Sequence, residues 1–313
     1  MHVELQYKDI MLDPFDYLFA LKNKDCCYRC VWIEEKGFGI VATRNIKLGE
    51  LILQERPLLS WTNYDSLKSQ FDNLSKSEKD AVLSLSNSHF ELDVELQGIA
   101  NTNGFFCEST ESMCLFLTAS RFNHSCTPNV QSVNMSPELR VYASSDISKD
   151  EELCINYLPL WQSPSTIKQN LKKQYRFVCN CELCSMQDQG QMKKIMNYRL
   201  RYGNIVASIS KKYINGEKIE LHSIMQIFET LKKAKLWFPH LILAHSIDGL
   251  EIALKLKMIE KAKAFIKRAY QSNFIVFGER CVSNKIFQEL IDHLDVDESR
   301  HNNKCFIVFH TLM

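Results

Sequence analysis

The spacing of apolar residues changes near residue 190, and with it the kind of structure the chain predicts. Ahead of that point, FGIVATRNIKLGELILQERPLLS (38–60) reads as two short strands around a turn at Lys47-Leu48-Gly49-Glu50. Residues 64–98 are polar, with Leu67, Phe71, Leu74, Ala81, Leu83 and Leu85 at roughly helical spacing. From 105 to 160 strands and loops return, in segments such as LRVYASSDI and EELCINYLPLW. Helical spacing then takes over. Ile224, Ile227/Phe228 and Leu231 form one stripe; Ile247, Leu250 and Leu254 form a second; Ala262, Phe265/Ile266 and Ala269 form a third. The prediction is an α+β chain, with a β-rich first half followed by helical hairpins. The ending CFIVFHTLM reads as an apolar tail or edge strand, without a prenylation or peroxisome signal.

Composition narrows the function. The chain has 313 residues, 45% hydrophobic and 24% charged, enough for a good core without disulfide staples. A formal charge of +1 gives no global field for nucleic acid or membrane, so no direct nucleic-acid binding is expected. The longest apolar runs fall short of the ~18 residues a membrane span needs. The start, MHVELQYKDI, has no apolar core of a secretory signal. Twelve cysteines in such a chain point to thiols and metal ligands in the cytoplasm or nucleus rather than to disulfides.

The strongest chemical signal is Cys179-Asn-Cys181-Glu-Leu-Cys184. A structural zinc site needs four soft ligands at tetrahedral angles, and this tight loop supplies three. Cys126, in RFNHSCTPN (121–129), is the candidate fourth. Cys26, Cys27 and Cys30 lack a partner pair, since Cys107 and Cys114 sit at no standard spacing; they read as buried thiols. Lys36-Gly37-Phe38-Gly39 lets a backbone pass close to a ligand, but without a third glycine and a following helix it is no dinucleotide fingerprint.

In order, Gly-x-Gly, then Asn123-His124-Ser-Cys126-x-Pro128-Asn129, then DEELCINY ending at Tyr157, then the cysteine cluster resemble the SET-domain protein lysine methyltransferases over roughly residues 30–185. QYRFVCNCELC and GERCVSNKIFQELI are similar to the SET-and-MYND subfamily in particular. In that group a Cys- and His-rich MYND zinc finger follows the first hairpin. Here LLSWTNYDSLKSQFDNLSK has neither residue, so no MYND-borne contact carries over.

The resemblance implies an organisation: an N-terminal extension (1–30), a SET domain (31–160) with a helical insert at 64–98, a post-SET zinc segment (161–188), a helical domain (189–300) and a tail (301–313). It implies a monomer that binds S-adenosylmethionine and a structural zinc ion, and methylates a lysine presented by a histone or non-histone protein. Lys36, Gly37, Phe38, Gly39, Asn103, Asn123, His124, Tyr157 and Phe177 would contact the cofactor. Asn123 and His124 would serve its adenine, and Phe177 would stack on that ring. Tyr157 would be the catalytic hydroxyl, with Phe105 and Tyr175 as walls of the lysine channel. The other implied reading is a catalytically silent module that binds proteins through its helical part.

Overall fold

The computed structural model describes residues 26–296 apart from 93, 108–109, 136–137, 160–161, 163 and 279–281. The apolar ending and most of the N-terminal extension lie outside the described residues. The chain divides into two compact units, Met1–Tyr157 with Lys168–Cys179, and Leu158–Ile167 with Asn180–Met313.

Among the described residues, three small sheets build the first unit. Strands β1 (Tyr28–Ile33), β2 (Gly37–Ala42), β10 (Glu152–Ile155) and β7 (Asn123–His124) line up in the order β1-β2-β10-β7. A second sheet runs β3 (Leu51–Glu55), β9 (Glu138–Ala143), β8 (Val130–Met135), and a third β4 (Leu59–Trp61), β6 (Ser112–Leu115), β5 (Phe105–Cys107). The turn expected at Lys47–Glu50 is present, with Gly49 at φ +82°, where a side chain would be strained. Sequence reading has no strand ahead of Gly37, yet β1 pairs along its whole length with β2. Its signal is weak because Tyr28 and Cys30 point inward while the large apolar Trp32 stays 60% exposed.

The helical insert forms three short helices, α1 (Tyr64–Asp72), α2 (Lys76–Leu83) and α3 (Glu95–Asn103). Asn63 and Ser75 close capping boxes at the first two, which explains why so polar a stretch starts helices where it does. Leu67, Val82, Leu85 and Ile99 bury into one small core. Leu83 is exposed instead of buried, because α2 turns Ala81 and Val82 inward. A short helix, α4 (Pro164–Asn170), runs into a π-turn at Leu171–Tyr175.

The second unit contains α5 (Gln189–Ile214), α6 (Leu221–Lys233), α7 (Pro239–Lys255), α8 (Ile259–Phe277) and α9 (Val282–Val296). The α6 and α8 stripes are buried as expected. On α7 the buried line is Ile242, Ser246, Gly249/Leu250 and Ala253, one step away from the expected Ile247 and Leu254, which are half-buried. Close packing of the hairpin explains the shift: a Cβ on Gly249 would stand 2.5 Å from the Phe265 ring, so this glycine must face α8.

Candidate active site

Pairing brings the two chemistry-bearing segments together. Strand β7 runs parallel to β10, with Asn123 beside Cys154 and His124 beside Ile155. The chain after each strand is also tied across, Ser125 N–H donating to the Ile155 carbonyl and the Asn156 amide to the Ser125 carbonyl. Tyr157, immediately after β10, therefore comes to rest against His124.

Tyr157 is held twice. Its backbone N–H donates to His124 Nδ1 (3.1 Å), and its hydroxyl donates to the Phe122 carbonyl (2.7 Å). Burial, with Tyr175 close by, pushes its phenol pKa far above the ordinary value, so it stays protonated. Around it stand the rings of Tyr175 (4.9 Å between centroids), His124 (5.3 Å) and Phe177 (6.5 Å, edge-on). Arg176, between the two aromatics, takes a left-handed conformation (φ +60°). That conformation is uncommon for a non-glycine residue, and the Arg176 side chain is tied to the Ser88 carbonyl and Glu91.

His124 is more deeply engaged than its sequence suggests. With Nδ1 accepting from Tyr157, the ring proton sits on Nε2, which faces Cys126 Sγ at 3.4 Å. Both nitrogens are thus occupied within the protein, and a ligand would meet the ring face or the backbone.

Asn123 donates to Glu152 Oε1 (3.0 Å) and lies 3.5 Å from the Phe38 carbonyl. The other oxygen of Glu152 accepts from Lys36 (2.6 Å). Burial works against the Lys36 ammonium, and the Glu152 hydrogen bond and charge outweigh it, leaving the lysine pKa raised. Sequence reasoning missed Glu152, the residue that joins the Gly-x-Gly loop to Asn123. Its only signal is a place in DEEL, where three consecutive acids look like solvated charges. Gly37 has φ +79°, whereas Gly39 is required by close approach: a Cβ there would meet Asn123 Nδ2 at 2.5 Å.

Two expected residues have other engagements. The Asn103 amide donates to the carbonyls of Ser86 (2.7 Å) and Ile99 (2.8 Å), fastening the end of α3. Phe105 packs edge-on against Phe116 at 5.6 Å.

The sulfurs of Cys126, Cys179, Cys181 and Cys184 lie within 4.8 Å of one another, with Cys126 and Cys179 4.0 Å apart. Four thiolates about 2.3 Å from a tetrahedral zinc would have comparable mutual spacing. The donor set fits a structural zinc ion, and Nε2–H of His124 is placed to support the Cys126 thiolate. Among the described residues this is the one such group of potential ligands. Cys27 and Cys30 are buried core thiols. No described helix is long and apolar enough to cross a membrane.

Comparison with known proteins agrees with this geometry. The SET domain family matches residues 37–158. A fission yeast (Schizosaccharomyces pombe) protein named histone-lysine N-methyltransferase set5 is 30% identical over 176 residues, covering 55% of this chain and 54% of its own length. A putative SET domain-containing protein of Acanthamoeba polyphaga mimivirus is 26% identical over 225 residues, covering 58% of this chain and 88% of its own. A SET and MYND domain-containing protein of Dictyostelium discoideum is 37% identical over 89 residues, 28% of this chain and 16% of its own. This chain thus spans about half the length of the yeast relative.

Proposed function

We propose that this chain, whose residues 37–158 match the SET domain family, is an S-adenosylmethionine-dependent protein-lysine N-methyltransferase. One observation carries the reading: the hydroxyl of a half-buried tyrosine, fixed on a backbone carbonyl, sits within a group of aromatic rings. Such a group suits an amine that must lose its water and its proton before it reacts. An apolar surround disfavours the lysine's charge and lowers its pKa, while ring faces still accommodate a cationic, methylated product.

When bound, S-adenosylmethionine supplies a methyl group on a sulfonium, open to in-line displacement by an amine. Lys36, Gly37, Phe38, Gly39 and Asn123 would hold its amino-acid and adenosine parts, with Phe177 offering a ring to the adenine. Asn103 could contribute only what its committed amide leaves free. Tyr157 orients and polarises the reacting groups. With burial holding the phenol protonated, positioning is its contribution. Tyr175 lines the amine's path. Zinc, held by Cys126, Cys179, Cys181 and Cys184, would be structural, with a closed shell. The substrate is a protein lysine, histone or non-histone, met in the cytoplasm or nucleus by a monomer.

The scaffold reading also has an observation in its favour. In the helical unit a groove of about 790 Å³ is lined by Ile209, Tyr213, Ile224, Ile227, Ile252 and Leu256 among others. Titration calorimetry with S-adenosylmethionine, followed by transfer of labelled methyl to histones and whole-proteome substrates, separates the two. Binding with transfer to lysine supports the enzyme. Absence of transfer in the whole screen gives the scaffold reading the lead.

A further inference from the structure

Glu55 ends strand β3, and its carboxylate leaves the sheet to reach the turn ahead of β7. Its two oxygens accept the backbone N–H groups of Thr118 and Ala119, each at 2.9 Å. These donors open the 3-10 turn Ala119–Arg121, whose own cap residue contributes no side-chain bond. Phe122 follows, with its N–H donating back to the Ala119 carbonyl (3.3 Å) and its carbonyl receiving the Tyr157 hydroxyl.

The far end of the turn is clamped as well. Arg121 is buried; its guanidinium donates to the Ser84 carbonyl (3.1 Å) and hydroxyl (2.7 Å) and lies over the Phe38 ring at 5.3 Å. So five residues, 118–122, are fixed at one end by a carboxylate and at the other by a cation. Among the described residues no lysine or arginine forms an ion pair with Glu55, and the titratable group facing it is Tyr28 of β1, whose phenol burial keeps protonated. Burial pushes the Glu55 carboxyl up to about 7, against the pull of the backbone N–H groups. A carboxylate in such surroundings is costly where a glutamine would pack as well. Its advantage is a charge-assisted grip on two N–H groups at once.

We infer that Glu55 is a positioning residue: it sets the place of the Phe122 carbonyl and, through it, of the Tyr157 hydroxyl. The inference rests on the methyltransferase reading for its effect on rate, but its structural content can be tested separately. Glu55→Gln turns one accepting oxygen into an amide NH2 group, a donor facing an N–H. Turnover on a confirmed substrate should fall about tenfold or more, while S-adenosylmethionine affinity and KM for the protein substrate hold. In the wild-type chain, hydrogen exchange at residues 118–122, corrected for intrinsic rates, should show less protection one pH unit above 7 than one unit below, because opening the turn releases to water a carboxylate that burial disfavours. That difference should vanish in Glu55→Gln.

Wild-type turnover in the variant, a fall in kcat matched by equal losses of affinity, or pH-independent protection in the wild type would each overturn the assignment. If the variant does not fold, the wild-type exchange profile decides alone. A wild type that methylates no lysine would sink the proposed function, and the exchange experiment would still decide whether Glu55 holds the turn.

Discussion

The backbone N–H of Tyr157 donates to Nδ1 of His124 across 3.1 Å, and the other ring nitrogen faces Cys126. One imidazole thus connects the tyrosine proposed for chemistry to the cysteine cluster proposed for zinc. His124→Ala should therefore lose stability and zinc as well as cofactor affinity, since a buried N–H left without an acceptor costs about 1–3 kcal/mol. Asn123→Ala should weaken cofactor binding with less effect on unfolding. Thermal unfolding and calorimetry on both variants check the contrast, and identical profiles would contradict it.

Tyr157→Phe removes the hydroxyl that rests on the Phe122 carbonyl and keeps the ring among Tyr175, Phe177 and His124. Turnover should drop by ~10²-fold or more, the scale for loss of one positioned polar group. Cofactor affinity should fall far less. Phe177→Ala should reverse that emphasis, because stacking area is lost before any catalytic hydroxyl. Wild-type turnover in Tyr157→Phe would end its catalytic assignment.

Gly39→Ala places a methyl group where Asn123 Nδ2 and Ile33 Cδ1 already stand, both 2.5 Å from the new atom. Asn123 must then leave Glu152, and cofactor affinity should collapse. Gly37 has a different need, a positive φ with open space around it, so Gly37→Ala strains the backbone without a collision. Calorimetry should find Gly39→Ala the worse of the two.

Purified protein should carry zinc at about one ion per chain, held by four thiolates. Cys184→Ser should release it and loosen residues 175–190, because the energy of a structural site is part of folding. Elemental analysis with hydrogen exchange gives both readouts. Folded, active protein without zinc would refute the assignment, and a second ion would point to Cys26, Cys27 and Cys30.

Glu55 gives stability a pH dependence of known sign. Its carboxyl sits at about 7 in the fold against 4.5 for an ordinary glutamate, so the folded chain binds this proton more tightly. Its contribution to stability is full below 4.5, declines as pH rises through 7 and is constant above. Denaturation midpoints of wild type and Glu55→Gln across that range should show the decline in the wild type alone.

Sequence made one kind of information plain and hid another. The Asn123–Asn129 stretch and the C-x-C-x2-C cluster are readable because their reactive residues are neighbours along the chain. Glu152 and Glu55 are not, because the groups they grip, Lys36 and Asn123 for one and Thr118 and Ala119 for the other, lie far off in sequence. A single acid at a strand end looks like a solvated charge until the fold buries it. The same applies to His124 Nδ1, whose partner Tyr157 is brought to it by the β7–β10 pairing. Helical stripes were legible to within a step, the α7 line shifting where Gly49-like freedom is not the issue but the close approach of Gly249 to Phe265 is.

The pairing of β2 with β10 joins Val41 to Glu152, and among the described residues β1 has only β2 as its neighbour. A ribosome delivers the β1–β2 hairpin more than a hundred residues ahead of its other partner. Throughout that interval one edge of the hairpin offers bare N–H and C=O groups to any other nascent strand. Non-local closure of this kind is slow, because the entropy of a long loop is lost before any contact compensates for it. A chain halted before Tyr157 would thus lack the proposed catalytic hydroxyl and also hold an unfinished sheet prone to aggregation.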